Sequence, residues 1–316
     1  MKIQVQKAKG SFSFPVELSD NAVGKELRTL VSKKVNVGFD RVRLTIDTAD
    51  KKKVVINDND LVQSVIVKAL SLSDTKEISK QETIVVQYKD LGPQISWRTV
   101  FLVEYFGPMA MHLLVYNLPK LFYGAAGNTL VHTTDQRIML YMVLGHYMKR
   151  ELETLFVHKF SHATMPLSNL FKNSFHYHFT GGLFLAYFCY SPYHTSVVGS
   201  PLPSRSLMLA TLSFLFFEAS NLVTHMNLSS LRPKDGSTER KIPYGYGFDL
   251  VTCPNYFYEI MSWVAFSGIS RTWASYIFIG FSAYQMVVWA IKKHKIYKKE
   301  FPNYPKDRKI IFPYVF

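Results

Sequence analysis

Lys89-Asp-Leu-Gly-Pro-Gln94, followed by Arg98-Thr-Val-Phe-Leu-Val-Glu-Tyr-Phe-Gly-Pro-Met109, is where the chain changes character. The first segment is polar and punctuated by Gly-Pro, which marks a junction. The second opens a run of apolar stretches of near-spanning length, at about 98–118, 137–158, 175–192, 206–225, 256–273 and 274–292. Each stretch also carries His, Glu, Asn, Tyr or Arg, as helices do when they line an interior and do not face lipid on every side. Ser270-Arg271 leaves only a thin turn between the last two. The fold expected for 97–316 is therefore a multi-span α-helical membrane domain of about six to seven transmembrane helices.

Upstream of the junction, residues 1–88 are soluble in character. Ile3 and Val5 alternate with Lys2, Gln4 and Gln6, and Gly10 turns the chain into Phe12, Phe14 and Val16, a hairpin pattern. Val23, Leu27, Leu30 and Val31 fall at helical spacing within 21–34. Arg41-Val-Arg-Leu-Thr-Ile46 and Thr83-Ile-Val-Val-Gln-Tyr88 read as strands. The order hairpin, helix, strand, strand resembles the ubiquitin-like β-grasp fold, with Lys7-Ala-Lys-Gly10 at its first turn and Leu18-Ser-Asp20 before its helix. The expected organisation is an α+β ubiquitin-like domain at 1–88, a linker at 89–96 and a transmembrane domain with a basic tail at 97–316. The N-terminal domain reads as a structural cap, or as a recruiter of partners.

Of 316 residues, 48% are hydrophobic and 15% aromatic, yet mean hydropathy is close to zero. The neutral average mixes a soluble first quarter with an apolar remainder. A formal charge of +14 calls for a partner or a surface. Many of the cations lie beside apolar stretches, which fits loops at the cytosolic face of a lipid bilayer and not nucleic acid. Residues 286–316 hold eight Lys or Arg against Glu300 and Asp307, so the tail is expected in the cytosol. Met1-Lys-Ile-Gln-Val5 is already strand-like, with no apolar leader, so the N-terminal domain is expected there too. The two cysteines, Cys189 and Cys253, offer neither a disulfide framework nor a zinc pattern.

Four polar clusters could carry chemistry. Glu104 is a lone carboxyl in a spanning stretch, which costs a few kcal/mol unless paired or protonated; a protonated acid there could donate a hydrogen bond, and an interfacial acid reaching water is the alternative. His146-Tyr-Met-Lys149-Arg150-Glu151 ends an apolar run and also suits a boundary belt. Asn221 and His225 are four residues apart and share a helix face, with Asn227 and Arg232 beyond; polar contacts between helices would explain them as well. Lys241-Ile-Pro-Tyr-Gly-Tyr-Gly-Phe248 and Val251-Thr-Cys-Pro-Asn-Tyr256, with Glu259 and Trp263, combine glycines that admit a flat or phosphorylated ligand with a helix start. This is neither a dinucleotide-binding nor a phosphate-loop glycine pattern.

These residues also carry a resemblance. Pro243-x-Gly-x-Gly-Phe248, Cys253-Pro-Asn-Tyr-x-x-Glu259, Trp263, His294-x-x-Tyr297 and Tyr304-Pro-Lys-x-Arg-Lys-x-x-x-Pro-x-x-Phe316 resemble the steroid 5α-reductase family. Within it, Asp90-Leu-Gly-Pro-Gln-Ile-Ser-Trp-Arg98, Glu104-Tyr-Phe-Gly-Pro108, Gly145-His-Tyr-x-Lys-Arg-Glu-Leu-Glu-Thr-Leu-Phe-Val-His158 and Ala163-Thr-Met-Pro-Leu-x-Asn-Leu-Phe-Lys-Asn173 are similar to the very-long-chain trans-2-enoyl-CoA reductases of the endoplasmic reticulum. The similarity spans essentially the whole chain.

The resemblance implies NADPH-dependent saturation of the 2,3-double bond of a trans-2-enoyl-CoA, the last step of each fatty acid elongation cycle, with other elongation enzymes as partners. It implies an endoplasmic reticulum membrane protein with both termini cytosolic. Hydride addition at C3 builds negative charge on the thioester oxygen, and a proton then reaches C2. By resemblance Glu104 and Tyr147 grip the carbonyl, and Tyr256 stands where the enoyl reductases have a tyrosine proposed as proton donor. Asn221, Arg232, Asn255, Glu259, Trp263, Lys293 and Tyr297 match NADPH contacts. His225 departs from the steroid enzymes, which have an acid there, and Tyr256 departs from their aromatic without a hydroxyl. His146, Lys149 and Arg150 could meet substrate or the phosphates of NADPH or coenzyme A, or could face anionic headgroups.

Other classes make different demands. A steroid-type 3-oxo-4-ene reductase would differ in substrate, and an isoprenylcysteine-type membrane methyltransferase would bind S-adenosylmethionine. A di-iron enzyme needs about eight clustered ligands, whereas of the ten histidines only His158-x-x-x-His162 makes a suitable pair; no metal is expected. A membrane anchor displaying a ubiquitin-like recruiter would need no site at all.

Overall fold

A computed structural model of the chain describes all residues except 49, 51, 82, 161–162 and 233–239. It divides into two compact units, Met1–Ser96 with Thr164–Asn169, and Trp97–Ala163 with Leu170–Phe316.

The first unit is a five-stranded sheet carrying two helices. Its elements are β1 (Lys2–Lys7), β2 (Ser13–Glu17), α1 (Gly24–Val35), β3 (Val42–Asp47), β4 (Lys53–Val55), α2 (Val62–Leu70) and β5 (Val85–Asp90), in the sheet order β2-β1-β5-β3-β4. The hairpin registers Ile3 with Val16 and Val5 with Phe14, and Val5 pairs with Val86 in the parallel step. The alternation seen in the sequence puts Ile3, Val5, Leu44, Ile46 and Val86 into one core with Leu27 and Val31 of α1 and Ile66 of α2. Gly24 opens α1 where a Cβ would run into the Asn57 carbonyl. Arg41 clamps Asp90 with two hydrogen bonds of 3.0 and 2.6 Å. The stretch expected as linker is partly ordered: 89–90 close β5, and β6 (Gln94–Ser96) pairs antiparallel with β7 (Thr164–Pro166), Ile95 opposite Met165.

The second unit is helical: α3 (Trp97–Asn117), α4 (Pro119–Tyr123), α5 (Thr134–Phe156), a π-helix (Phe175–Phe184) continuing into α7 (Leu185–Cys189), α8 (Thr195–Val198), α9 (Ser204–Ser230), α10 (Pro254–Ser270) and α11 (Trp273–Glu300); α6 (Ser168–Ser174) leads into the π-helix. Thr133 and Gln136 form a reciprocal capping box at the start of α5. Pro254 sits at the first turn of α10, where its missing N–H costs nothing. The thin turn resolves as Arg271 in left-handed conformation (φ 48°) followed by Thr272, whose hydroxyl caps α11.

Among the described residues three helices, α3, α9 and α11, are long and apolar enough to cross a membrane, and the chain is read as a membrane protein on that basis. The other expected spans are also helical but differ in makeup. α5 carries Asp135, Arg137, Lys149, Arg150, Glu151 and Glu153, α10 has 17 residues, and 175–189 is split between π and α winding. α10 lies along α9 and also touches α5 and α11, while α3 lies against α5 and the π-helix. The resulting core holds Tyr105, Val143, Tyr147, Leu185, Trp263, Phe266 and Phe278.

Candidate active site

The polar end of α5 is buried, and its side chains find partners on α3, α9 and α10. Lys149 reaches Glu218 Oε2 at 2.8 Å and donates to Asn221 Oδ1 at 2.5 Å, both on α9. Arg150 contacts Glu153 Oε2 at 2.5 Å, His225 Nδ1 at 3.0 Å and the Tyr105 hydroxyl at 2.8 Å. His146 places Nδ1 2.8 Å from Glu218 and Nε2 3.4 Å from Glu259. The Nδ1–Glu218 contact is a hydrogen bond, and the Nε2–Glu259 approach is longer. Lys149 and Arg150 therefore serve as internal ion-pair partners, an assignment that neither the phosphate nor the headgroup expectation anticipated.

The α9 face expected from Asn221 and His225 is real and points at α5. Asn221 is satisfied at both ends, since its amide also donates to the Asn255 carbonyl at 2.9 Å. It thus ties the start of α10 to Lys149. His225 Nδ1 lies 3.1 Å from Glu153 and 3.0 Å from Arg150, and one nitrogen cannot serve both in the same state. Glu153, His158 and His225 bring ligand atoms within 4.8 Å of one another. Arg150 shares their carboxylate oxygen, so the cluster already holds a cation. His162 lies outside the described residues.

Glu104 and Tyr147 are each 1% exposed. Glu104 Oε1 is buried without a hydrogen-bond partner among the described residues, and the side chain otherwise meets Asn173. Pro108, four residues on, lacks the N–H that would bond the Glu104 carbonyl. The Tyr147 ring stands 6.3 Å from Tyr105, 4.9 Å from His146 and 6.1 Å from Trp263. Its hydroxyl lies over Gly181 of the π-helix, where an added Cβ would come within 2.8 Å of it. The π winding has a visible use, because the Gly181 carbonyl accepts from His112 Nε2 at 3.0 Å.

Asn255, Glu259 and Trp263 recur every four residues and form one stripe of α10. The Trp263 indole N–H donates to Glu259 at 3.3 Å, and its ring meets His146 at 4.8 Å. Asn255 Oδ1 is buried and unpartnered among the described residues. Tyr256, one step round the helix, packs on Trp289 at 6.3 Å and lies within electrostatic reach of Lys293, Arg150 and Tyr105. Lys293 lies 5.9 Å over the Tyr297 ring, and Tyr297 is within electrostatic reach of Arg232, Arg240 and Arg308. The structure thus brings His146, Tyr147, Glu259 and Trp263 together, and pairs Lys293 with Tyr297 on α11.

The glycine loop behaves differently from expectation. A Cβ on Gly247 (φ 84°) would meet Pro254 at 2.9 Å, so its space is used by the start of α10; Gly245 (φ 76°) faces open space. Asn227 holds the loop through the Tyr244 carbonyl at 3.0 Å and Arg308 through the Pro243 carbonyl at 3.1 Å. Sequence reasoning missed Glu218, Glu153 and Tyr105. Glu218 had a signal, a lone acid in an apolar stretch, while Tyr105 and Glu153 have no local mark.

Residues 163–316 match a family model described as 3-oxo-5-alpha-steroid 4-dehydrogenase. The chain is 38% identical to the very-long-chain enoyl-CoA reductase of Dictyostelium discoideum, over 100% of this chain and 99% of that one. It is 41% identical to a Schizosaccharomyces pombe protein named as an enoyl reductase, over 98% and 96%. A trans-2,3-enoyl-CoA reductase-like protein of Mus musculus is 34% identical over 76% and 67%.

Proposed function

This chain belongs to the very-long-chain enoyl-CoA reductase family, and on that premise we propose that it reduces the 2,3-double bond of a trans-2-enoyl-CoA with NADPH, as the closing step of fatty acid elongation. The observation that carries the proposal is a Glu104 oxygen that is buried and, among the described residues, without a hydrogen-bond partner, in the same apolar interior as the Tyr147 side chain. A buried polar atom left unpaired is costly unless a ligand uses it.

NADPH, when bound, supplies the hydride that adds to C3. The α10 stripe fits such a cofactor because Asn255 Oδ1 is an orphaned acceptor suited to an amide donor, and Trp263 offers a flat ring beside it. Lys293, Tyr297 and Arg232 would meet its pyrophosphate. Glu104, as a neutral acid, and Tyr147 donate to the thioester oxygen, where charge develops. Tyr256, within electrostatic reach of Lys293 and Arg150, delivers the proton to C2. The Glu218–His146–Glu259 chain fixes the imidazole that backs Tyr147 and Trp263.

The membrane is that of the endoplasmic reticulum, with the basic tail and the N-terminal unit in the cytosol. The strand order β2-β1-β5-β3-β4, with α1 following the first hairpin, supports a ubiquitin-like β-grasp for that unit.

NADPH oxidation by purified protein with a trans-2-enoyl-CoA, against a 3-oxo-4-ene steroid, tests the reading. Turnover with the thioester and little with the steroid is expected; folded protein inactive on the thioester sinks it. Near-full turnover by Tyr256→Phe would move the proton-donor role to Tyr147.

A further inference from the structure

A cavity of about 440 Å³ opens beside the end of α11, lined by His294, Lys298, Lys306, Arg308 and Lys309, with Asp307 the one acid and Ile310, Val315 and Phe316 as apolar wall. Of these residues only Arg308 appears in the site described above, where it holds the glycine loop. The volume falls in the usual range for small-molecule sites. Four cations against one carboxylate give it the charge that a phosphate dianion needs.

Two features separate it from a loosely basic surface. Arg308 is 3% exposed, is held between the rings of Tyr244 and Tyr304 at 5.1 Å each, and keeps its Nε without a partner among the described residues. The floor is also rigid and tied to the catalytic helix. Thr252 N–H donates to the Lys309 carbonyl at 2.8 Å, Lys309 N–H to the Leu250 carbonyl at 2.9 Å and Cys253 N–H to the Ile310 carbonyl at 3.2 Å. These bonds fix the cavity to the residues that lead directly into Pro254, Asn255 and Tyr256. Thr252 further contacts His294 at 2.5 Å and Tyr304 at 2.7 Å.

We propose that this cavity receives the phosphomonoester-bearing adenosine end of a nucleotide, the group that coenzyme A carries with its phosphate at the ribose 3′ position and NADPH at the 2′ position. The exposed Lys298, Lys306 and Lys309 would reach the phosphates, and Phe316 in the lining offers an aromatic side chain to the base. The inference rests on the reductase reading for the choice of nucleotide and on the cavity for everything else.

The test uses the full chain in detergent, with Lys298→Ala, Lys306→Ala and Lys309→Ala combined, since exposed lysines can be removed with the fold intact. If coenzyme A occupies the cavity, the KM for enoyl-CoA rises about tenfold or more. The unsubstituted enzyme then suffers a similar loss with 3′-dephospho-enoyl-CoA, which the variant no longer distinguishes. If NADPH occupies it, the KM for NADPH rises instead and the preference over NADH collapses. Binding of adenosine 3′,5′-bisphosphate and of 2′-phospho-ADP, followed by titration calorimetry, gives a readout that needs no turnover. Unchanged KM values for both substrates, or unchanged binding of both bisphosphates, overturn the inference. Absent turnover with intact, lysine-dependent bisphosphate binding would defeat the reductase reading and leave the cavity standing.

Discussion

Arg150 donates a hydrogen bond from α5 to the Tyr105 hydroxyl on α3, at 2.8 Å, with the guanidinium carbon 5.0 Å from the same ring's centroid. Arginine has no lone pair to return, so the phenolic proton of Tyr105 is left for another acceptor. Tyr105→Phe removes the acceptor of a buried charged donor and is expected to cost about 1.5–3 kcal/mol. Thermal unfolding in detergent measures this, and an unchanged melting temperature would show the contact to be incidental.

Glu218 neutralises Lys149 and holds His146 at once. Glu218→Ala strands both, and removal of one partner from a buried ion pair costs about 3–5 kcal/mol. Glu218→Gln keeps the shape and some hydrogen bonding and should lose less. The double variant Glu218→Ala, Lys149→Ala should be more stable than the two single losses added together; simple additivity in chemical denaturation would argue against the coupling.

Gly181→Ala brings a methyl group to 2.8 Å from the Tyr147 oxygen and 3.0 Å from the Phe278 ring. The hydroxyl has to move, and a displacement of about 1 Å in a reacting group can cost about 10²-fold in rate. The expected result is a fall in kcat comparable to that of Tyr147→Phe, with no further fall when the two are combined. A Gly181→Ala enzyme as active as the unsubstituted one would remove Tyr147 from the chemistry.

The Arg41 guanidinium, together with the Gly92 N–H, holds the Asp90 carboxyl below its ordinary range. A lowered folded-state value means that the charged form is favoured on folding. The contribution is therefore present above about pH 4, the unfolded carboxyl's range, and is lost as pH falls through the folded value. The protection factors of β3 and β5 in the full chain, taken relative to intrinsic exchange at each pH, should fall at low pH, and Asp90→Asn should abolish that dependence. The same pH response in Asp90→Asn would place its origin elsewhere.

Legibility in the sequence tracks the range of the forces involved. The hairpin of β1 and β2 and the helix α1 were legible because alternation and four-residue spacing are local signals. So was the turn at Arg271. β6 was not, because Gln94–Ser96 is a strand only through its partner Thr164–Pro166, some seventy residues away. The α9 face at Asn221 and His225 was visible as spacing, but what it faced was not. For Lys149 the long-range partner was out of view in the same way, because Glu218 comes from α9, some seventy residues away. π winding in Phe175–Phe184 leaves no compositional trace beyond Gly181-Gly182.

That wide-turn segment has a consequence for how the chain tolerates change in length. A π-helix closes its bonds one residue further along than an α-helix does. Deleting one residue within 175–184 would let it relax to ordinary winding, at the cost of roughly 100° of rotation between the two flanking helices. His112 would lose the Gly181 carbonyl and Tyr147 the bare backbone beneath its hydroxyl, although no side chain of the site had been altered. The number of residues in this stretch is thus under as much constraint as their identity, and a one-residue deletion here should do more harm than most substitutions.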